Sequence, residues 1–124
     1  MRVLLSIKPE YVEKIFAGTK KYEFRKSLFK RSDITMAVVY ASSPISRVVG
    51  EFHIDGVLKD EVNKVWEQTH KYSGVTEDYF KSYFCCHKEA TAIQIGHTKR
   101  YKSARLLSDY NVPQAPQSFC YIDD

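Results

Sequence analysis

Cysteine is scarce in this chain, and its placement excludes a disulfide scaffold. There are three cysteines in 124 residues, two of them adjacent at Cys85-Cys86. Small secreted domains rely on an even, spaced set, and adjacent cysteines also lack the spacing of a structural zinc site. Cys120 and one of the pair read instead as small buried hydrophobes. Long hydrophobic runs are missing as well. The longest, such as Met36–Tyr40, fall far short of the roughly 20 residues that cross a bilayer. Met1–Ile7 alternates and runs into Lys8-Pro9, unlike a secretory leader. These absences point to a cytoplasmic protein with no membrane partner.

Glycine and proline are few, five and four respectively. No glycine-rich phosphate loop occurs, and no serine sits in a G-x-S-x-G elbow. Internal repeats and low-complexity tracts are absent. His53, His70, His87 and His97 are scattered, so neither a metal site nor a cofactor is implied. Charge of one sign is only slightly in excess. Nineteen Lys and Arg stand against fifteen Asp and Glu, a net +4 with His neutral, for a pI of about 8.9. That balance permits a polyanionic partner but equally describes an ordinary lysine-rich surface.

Aromatic residues are plentiful: nine Tyr and seven Phe. Many must be core, and a few exposed rings can stack on bases. Hydrophobic residues make up 44%, enough in one domain spanning 1–124 to fold around a core without cross-links.

Hydrophobic period divides the chain. Arg2–Ile7 reads as a strand. Pro9 suits the first position of a helix over residues 9–17, with Glu10 and Glu13 early and Tyr11, Val12, Ile15 and Phe16 as its apolar stripe. Gly18 is placed to end it in a left-handed conformation. Lys21–Lys26 alternates, with Tyr22 and Phe24 on one face and Lys21, Glu23 and Arg25 on the other. Strands follow at Ile34–Ala41 and Arg47–Val57. Asp60 is expected to cap a helix carrying Val62, Val65, Trp66 and Thr69. Thr76 caps a second, on which Tyr79, Phe80, Tyr83 and Phe84 form a core stripe. Glu89–Tyr101 returns to strand with a bulge at Gly96, Ser103–Tyr110 is irregular or briefly helical, and Ser118–Ile122 is a last strand. The order β-α-β-β-β-α-α-β-β predicts an α+β domain: a small, partly open barrel of five to six mostly antiparallel strands with inserted helices.

The densest cluster of functional side chains is Gly18-Thr19-Lys20-Lys21-Tyr22-Glu23-Phe24-Arg25-Lys26, where a helix ends and a strand begins. By period alone this is a strand with a solvated charged face. Glu23 and Arg25 share that face and can pair. Lys20 lies at the turn and reaches Glu23 only if the turn brings it there.

The pattern Gly18-x-Lys20-x-x-Glu23-x-Arg25, after a strand and a short helix, resembles the signature of the ASCH domain family, within the PUA-like superfold. Ser6-Ile7-Lys8-Pro9-x-Tyr11, Tyr40-x-Ser42-Ser43-Pro44, Gly50-Glu51 and Pro116-Gln117-Ser118-Phe119 resemble small free-standing members from bacteria, archaea and phages. The resemblance implies a five- or six-stranded PUA-like barrel and a cleft lined by Lys20, Glu23 and Arg25. Tyr40, Ser42 and Ser43 would stand at a neighbouring strand end, with Gln117, Ser118 and Phe119 closing the barrel nearby. It further implies RNA, single-stranded nucleic acid or a modified nucleoside as the ligand, and two kinds of function.

In the first, Lys20 and Arg25 hold phosphate oxygens, Glu23 accepts from an amine or hydroxyl, an aromatic stacks on a base, and Lys26, Lys30 and Arg31 track the backbone. In the second, the chain is a small hydrolase of RNA or of a modified nucleoside, with Lys20 and Glu23 catalytic. Family members that deacetylate acetylcytidine carry Thr where this chain has Glu23. A carboxylate there raises the Lys20 pKa and disfavours an amine nucleophile, while leaving Glu23 free to act as a general base beside a Lys20 that stabilises an oxyanion. A third expectation, a protein-interaction regulatory domain, requires an apolar patch beside the Thr76–Cys86 helix.

Overall fold

The computed structural model describes residues 1–124. Its elements are β1 (Arg2–Ile7), α1 (Pro9–Ala17), β2 (Tyr22–Arg25), β3 (Met36–Ala41), β4 (Arg47–Glu61), α2 (Val62–Thr69), α3 (Glu77–Tyr83), β5 (Glu89–Arg105) and β6 (Phe119–Ile122), with 3-10 turns at His70–Tyr72 and Leu107–Tyr110. The strands form one six-stranded sheet in the order β2-β5-β4-β3-β1-β6. β1 and β3 run parallel, and all other neighbours are antiparallel. The parallel pair arises because the chain leaves β1 through α1 and β2 before returning beside it as β3. No backbone ladder joins the edges β2 and β6. Arg25 on β2 nevertheless bonds Ser118, the residue before β6, so the sheet curls until its edges meet through a side chain. The fold is α+β, a partly open barrel as expected.

Two strands outrun their sequence signals. β4 continues to Glu61 because Lys59, Asp60 and Glu61 pair with Thr91, Ala90 and Glu89. Asp60 therefore lies in the ladder and does not cap α2, whose N-cap position is Glu61 with no side-chain bond. Long-range pairing has overridden a local capping signal. β5 likewise runs on through Ser103 to Arg105, where it pairs with Val48. Gly96 sits at a register shift against β4, in keeping with the expected bulge.

Strand alternation separates three apolar clusters. Val3, Leu5 and Ile7 of β1, Ala37, Val39 and Ala41 of β3, and Phe52 and Ile54 of β4 face the barrel interior, which Val12 and Ile15 of α1 plug. Outside β2 and β5, Phe24, Ala90 and Ala92 are covered by Val65 of α2 and by Phe80 and Phe84. Outside β1, β3 and β4, Leu4, Val38, Tyr40 and Val48 pack with Ile122, Leu107 and Tyr110.

The expected core stripe on α3 divides, since Phe80 and Phe84 are buried while Tyr79 and Tyr83 are only half-buried. Thr76 caps this helix as expected, accepting from the Tyr79 N–H at 3.1 Å. Cys85 and Cys86 are both exposed and only Cys120 is partly covered, so neither of the pair is a buried hydrophobe. They follow the last turn of α3, where no layer covers them. The exposed large apolar side chains are Met1, Ile45, Val57, Tyr72, Leu106 and Tyr121, none of them on α3. No helix is long and apolar enough to cross a membrane.

Phe80 joins α3 to the sheet, meeting Phe24 at 4.9 Å and Trp66 at 5.0 Å between ring centroids. Truncating a buried Phe costs about 3–5 kcal/mol. Phe80→Ala is expected to lower unfolding stability by that order in denaturant titrations. A loss under about 1 kcal/mol would mean that α3 is not anchored through this ring.

Candidate functional site

Lys20, Glu23 and Arg25 come together, and they are buried rather than solvated. Their exposures are 2%, 7% and 7%. The solvated-face reading is thereby corrected for Glu23 and Arg25, which turn into the mouth of the curled sheet, while Lys21 stays exposed. Glu23 sits between the two cations, with Oε2 at 3.0 Å from Arg25 Nη2 and Oε1 at 4.0 Å from Lys20 Nζ.

The turn after α1 delivers Lys20. Gly18 adopts φ +85°, and the N–H groups of Thr19 and Lys20 both bond the Lys14 carbonyl at 3.1 Å. The Lys20 stem then runs beneath Gly74. A Cβ on Gly74 would lie 2.7–2.8 Å from Lys20 Cβ, Cγ and Cδ, and Gly74 itself has φ +71°. Only glycine meets both demands. The ammonium donates to the Ser73 carbonyl at 2.7 Å and lies 4.8 Å and 5.3 Å from the Phe24 and Tyr11 ring centroids.

Arg25 is held by backbone rather than by solvent. Nη1 donates to the Ser118 carbonyl and hydroxyl, both at 3.2 Å, and Nη2 donates to the Ser6 carbonyl at 2.9 Å. Ser6 is tied to the same segment, its N–H donating to the Ser118 carbonyl at 3.1 Å and its hydroxyl to the Pro116 carbonyl at 2.7 Å. Both cations expected to grip phosphate are thus engaged by the protein itself. The exposed cations beside the cavity are Lys8 and Lys26, whose ammonium groups lie 5.9 Å and 4.7 Å from the Tyr79 and Tyr83 ring centroids.

These side chains open onto a cavity of about 310 Å³, also lined by Ser6, Ile7, Lys8, Tyr11, Phe24, Ser42, Val75, Tyr79, Tyr83 and Gln117. Of the remaining expected site residues, Ser42 and Gln117 line it, and Ser118 stands behind as the Arg25 acceptor. Ser43 is exposed and outside the lining. Phe119 packs on the interior core, its ring 6.0 Å from that of Phe29. Tyr40 lies on the opposite sheet face, because alternation along β3 turns Val39 and Ala41 inward and Tyr40 outward.

Sequence reasoning missed Tyr11, Tyr79 and Tyr83 as cavity walls. All three lie on helical apolar stripes and read there as core. Their hydroxyl groups were the available signal, because a stripe of Tyr can border a polar cavity where one of Phe cannot.

The sequence profile described as ASCH domain matches residues 5–97. The chain belongs to the ASCH domain family. A protein named ASCH domain-containing ribonuclease from Zymomonas mobilis is 26% identical over 122 residues, covering 96% of this chain and 82% of that protein. ATP synthase subunit alpha of Ureaplasma parvum is 28% identical over 122 residues, and the chain spans only 15% of that relative's length. Among solved structures, the ASCH protein from Zymomonas mobilis superposes with a TM-score of 0.89 at 22% identity, over 99% of this chain and 88% of that one. That likeness establishes the fold.

In this ASCH domain the electrostatics of Lys20 depart from the sequence expectation. A Glu23 neighbour alone would raise its pKa. Burial acts the other way and outweighs the carboxylate, while Lys14 and Arg25 add to the lowering, so the pKa falls to about 8. At pH 7 roughly a tenth of the molecules carry a neutral amine. Burial also raises the pKa of Tyr11, reinforced by the neighbouring Tyr79, and burial raises that of Tyr83. Both phenols stay neutral near pH 7.

The lowered Lys20 pKa carries a pH signature. Between pH about 8 and its ordinary value of 10.5, the unfolded chain binds more protons at this group than the folded one, so stability rises with pH. Wild-type protein is expected to gain about 1 kcal/mol between pH 8 and pH 9 relative to Lys20→Met. Parallel denaturation curves at the two pH values would show otherwise if burial does not govern this amine.

Proposed function

We propose that this ASCH domain binds a single unpaired nucleotide of RNA, or a nucleoside, in the cavity at Lys20, Glu23 and Arg25. The observation that carries the reading is the combination in one cavity of a paired carboxylate, aromatic walls and rim lysines. Its volume falls at the lower end of small-molecule sites, which begin at about 300 Å³. Tyr79 and Tyr83 offer ring surface to a splayed base. Glu23, held in place by its two cations, accepts from an exocyclic amine or a ribose hydroxyl. Lys8 and Lys26 stand where a phosphate would leave the cavity. Further support comes from the Zymomonas mobilis relative named a ribonuclease.

Base–aromatic stacking contributes about 1–3 kcal/mol. Tyr83→Ala is therefore expected to weaken binding of labelled single-stranded RNA about tenfold or more in fluorescence anisotropy, with Lys20→Met also weakened. Affinity indifferent to both substitutions would remove the cavity from consideration as the RNA site.

A second reading, hydrolysis of RNA, is favoured by the Lys20 ammonium with a pKa of about 8 lying 4.0 Å from Glu23. Glu23 would take a proton from an attacking water while Lys20 balances the negative charge that develops on the phosphate oxygens; the P–O bond to the leaving ribose oxygen breaks, and Glu23 returns the proton to that oxygen. Wild-type protein incubated with RNA would then give cleavage products that Glu23→Gln lacks. Cleavage at equal rates by both proteins would exclude Glu23 as the base, and no cleavage by the wild type would leave binding as the whole function.

A further inference from the structure

Building on that reading, we propose that a basic groove adjoining the cavity carries the phosphates of neighbouring nucleotides, so that the ligand is a continuous RNA strand rather than a free nucleoside. The groove is a concavity of about 580 Å³ whose lining includes Lys26, Lys30, Lys59, His87, Lys88 and Thr91. It adjoins the first cavity at two places. Lys26 follows Arg25 directly, and its ammonium lies over Tyr83, a wall of the cavity. Across the sheet, Arg25 pairs with Thr91, and Thr91 pairs with Lys59. Directly paired residues on neighbouring strands project from the same face, so Arg25, Thr91 and Lys59 form one row from cavity floor into groove.

The charge of the groove is open to a ligand. Lys26, Lys30, Lys59 and Lys88 are exposed and none makes an ion pair. Glu89 is the one carboxylate in the lining. Arg31, expected from the sequence to track a backbone with Lys26 and Lys30, is taken up by Asp33 through two bonds of 3.0 Å and 2.7 Å and does not line the groove. The loop that carries Lys30 is fixed, because the Tyr121 hydroxyl accepts from the N–H groups of Lys30 and Arg31 at 3.0 Å and 3.2 Å. A set of unpaired lysines beside a nucleotide-sized cavity suits the repeated negative charge of a phosphodiester backbone. A free nucleoside would make no use of it.

The test compares the wild type with Lys59→Gln/Lys88→Gln, two exposed groove lysines outside the cavity. The probes are a labelled short oligouridylate, titrated at several salt concentrations, and uridine monophosphate. The double variant is expected to bind the oligonucleotide roughly tenfold more weakly and to lose about 0.7 from the salt slope for each phosphate contact removed. Its affinity for uridine monophosphate should match the wild type. Oligonucleotide affinity and salt slope unchanged in the double variant, with Tyr83→Ala still weakened, would overturn the groove and leave the cavity standing. Equal weakening toward both probes would also overturn it, since the lysines would then act on the cavity itself. A wild-type protein that binds neither probe would overturn the proposed function and the groove together.

Discussion

The Arg25 guanidinium holds this molecule's open seam together. The curled sheet ends in two edges that share no ladder, and an edge without partners leaves backbone donors and acceptors unmet. From β2, Arg25 supplies donors to the Ser118 and Ser6 carbonyls on the β6 and β1 side. The same guanidinium fixes Glu23 at 3.0 Å. One planar group therefore closes the barrel and orients the carboxylate at the centre of the cavity. Lysine could not replace it, lacking the planar fork that addresses four acceptors on three separate segments. The arrangement is not free of strain in its hydrogen bonding, because the Arg25 Nε is buried without a partner.

The two cations of the site play different physical parts. Arg25 meets protein acceptors through both terminal nitrogens. Lys20 is confined among a carbonyl, a carboxylate and two aromatic faces, and desolvation brings its protonation equilibrium close to neutrality. The segment Ser73–Val75 makes that confinement possible. Ser73 supplies the acceptor, Gly74 leaves room for the lysine stem, and Val75 joins the cavity wall. The helices α2 and α3, joined by this segment, thus cover the outer core and also press a charge into a poorly hydrated place.

Much of this was legible in the residues. Alternation over Lys21–Lys26 correctly placed Glu23 and Arg25 on one face, and Gly18 marked the helix end that releases Lys20. The curl of the sheet was not legible, since burial of a charged face depends on what folds over it from residues 73–118. Tyr40 shows the opposite limit: it stands close in sequence to Ser42, which lines the cavity, yet strand alternation turns it to the far side. Asp60 has the chemistry of a helix cap, but ladder bonds with Glu89–Thr91, nearly thirty residues on, decide its conformation. Tyr79 and Tyr83 could not be separated from Phe80 and Phe84 by helical spacing, since neighbours on one stripe can border either a core or a cavity.

The pairing of β2 with β5 makes the site a matter of parity. Glu23 and Arg25 face inward and Phe24 outward because the chain enters the ladder with Tyr22 opposite Gln94. Adding or removing one residue in the turn at Thr19–Lys21 would reverse every side chain of β2. Two charges would be driven into the aromatic cluster of Phe80 and Phe84, and the cavity would lose its carboxylate and its guanidinium together. Side chains in this stretch can vary over evolutionary time as long as chemistry is kept, but its length cannot drift by single steps. Related chains that retain the site should therefore show substitutions in the turn without insertions or deletions of odd length.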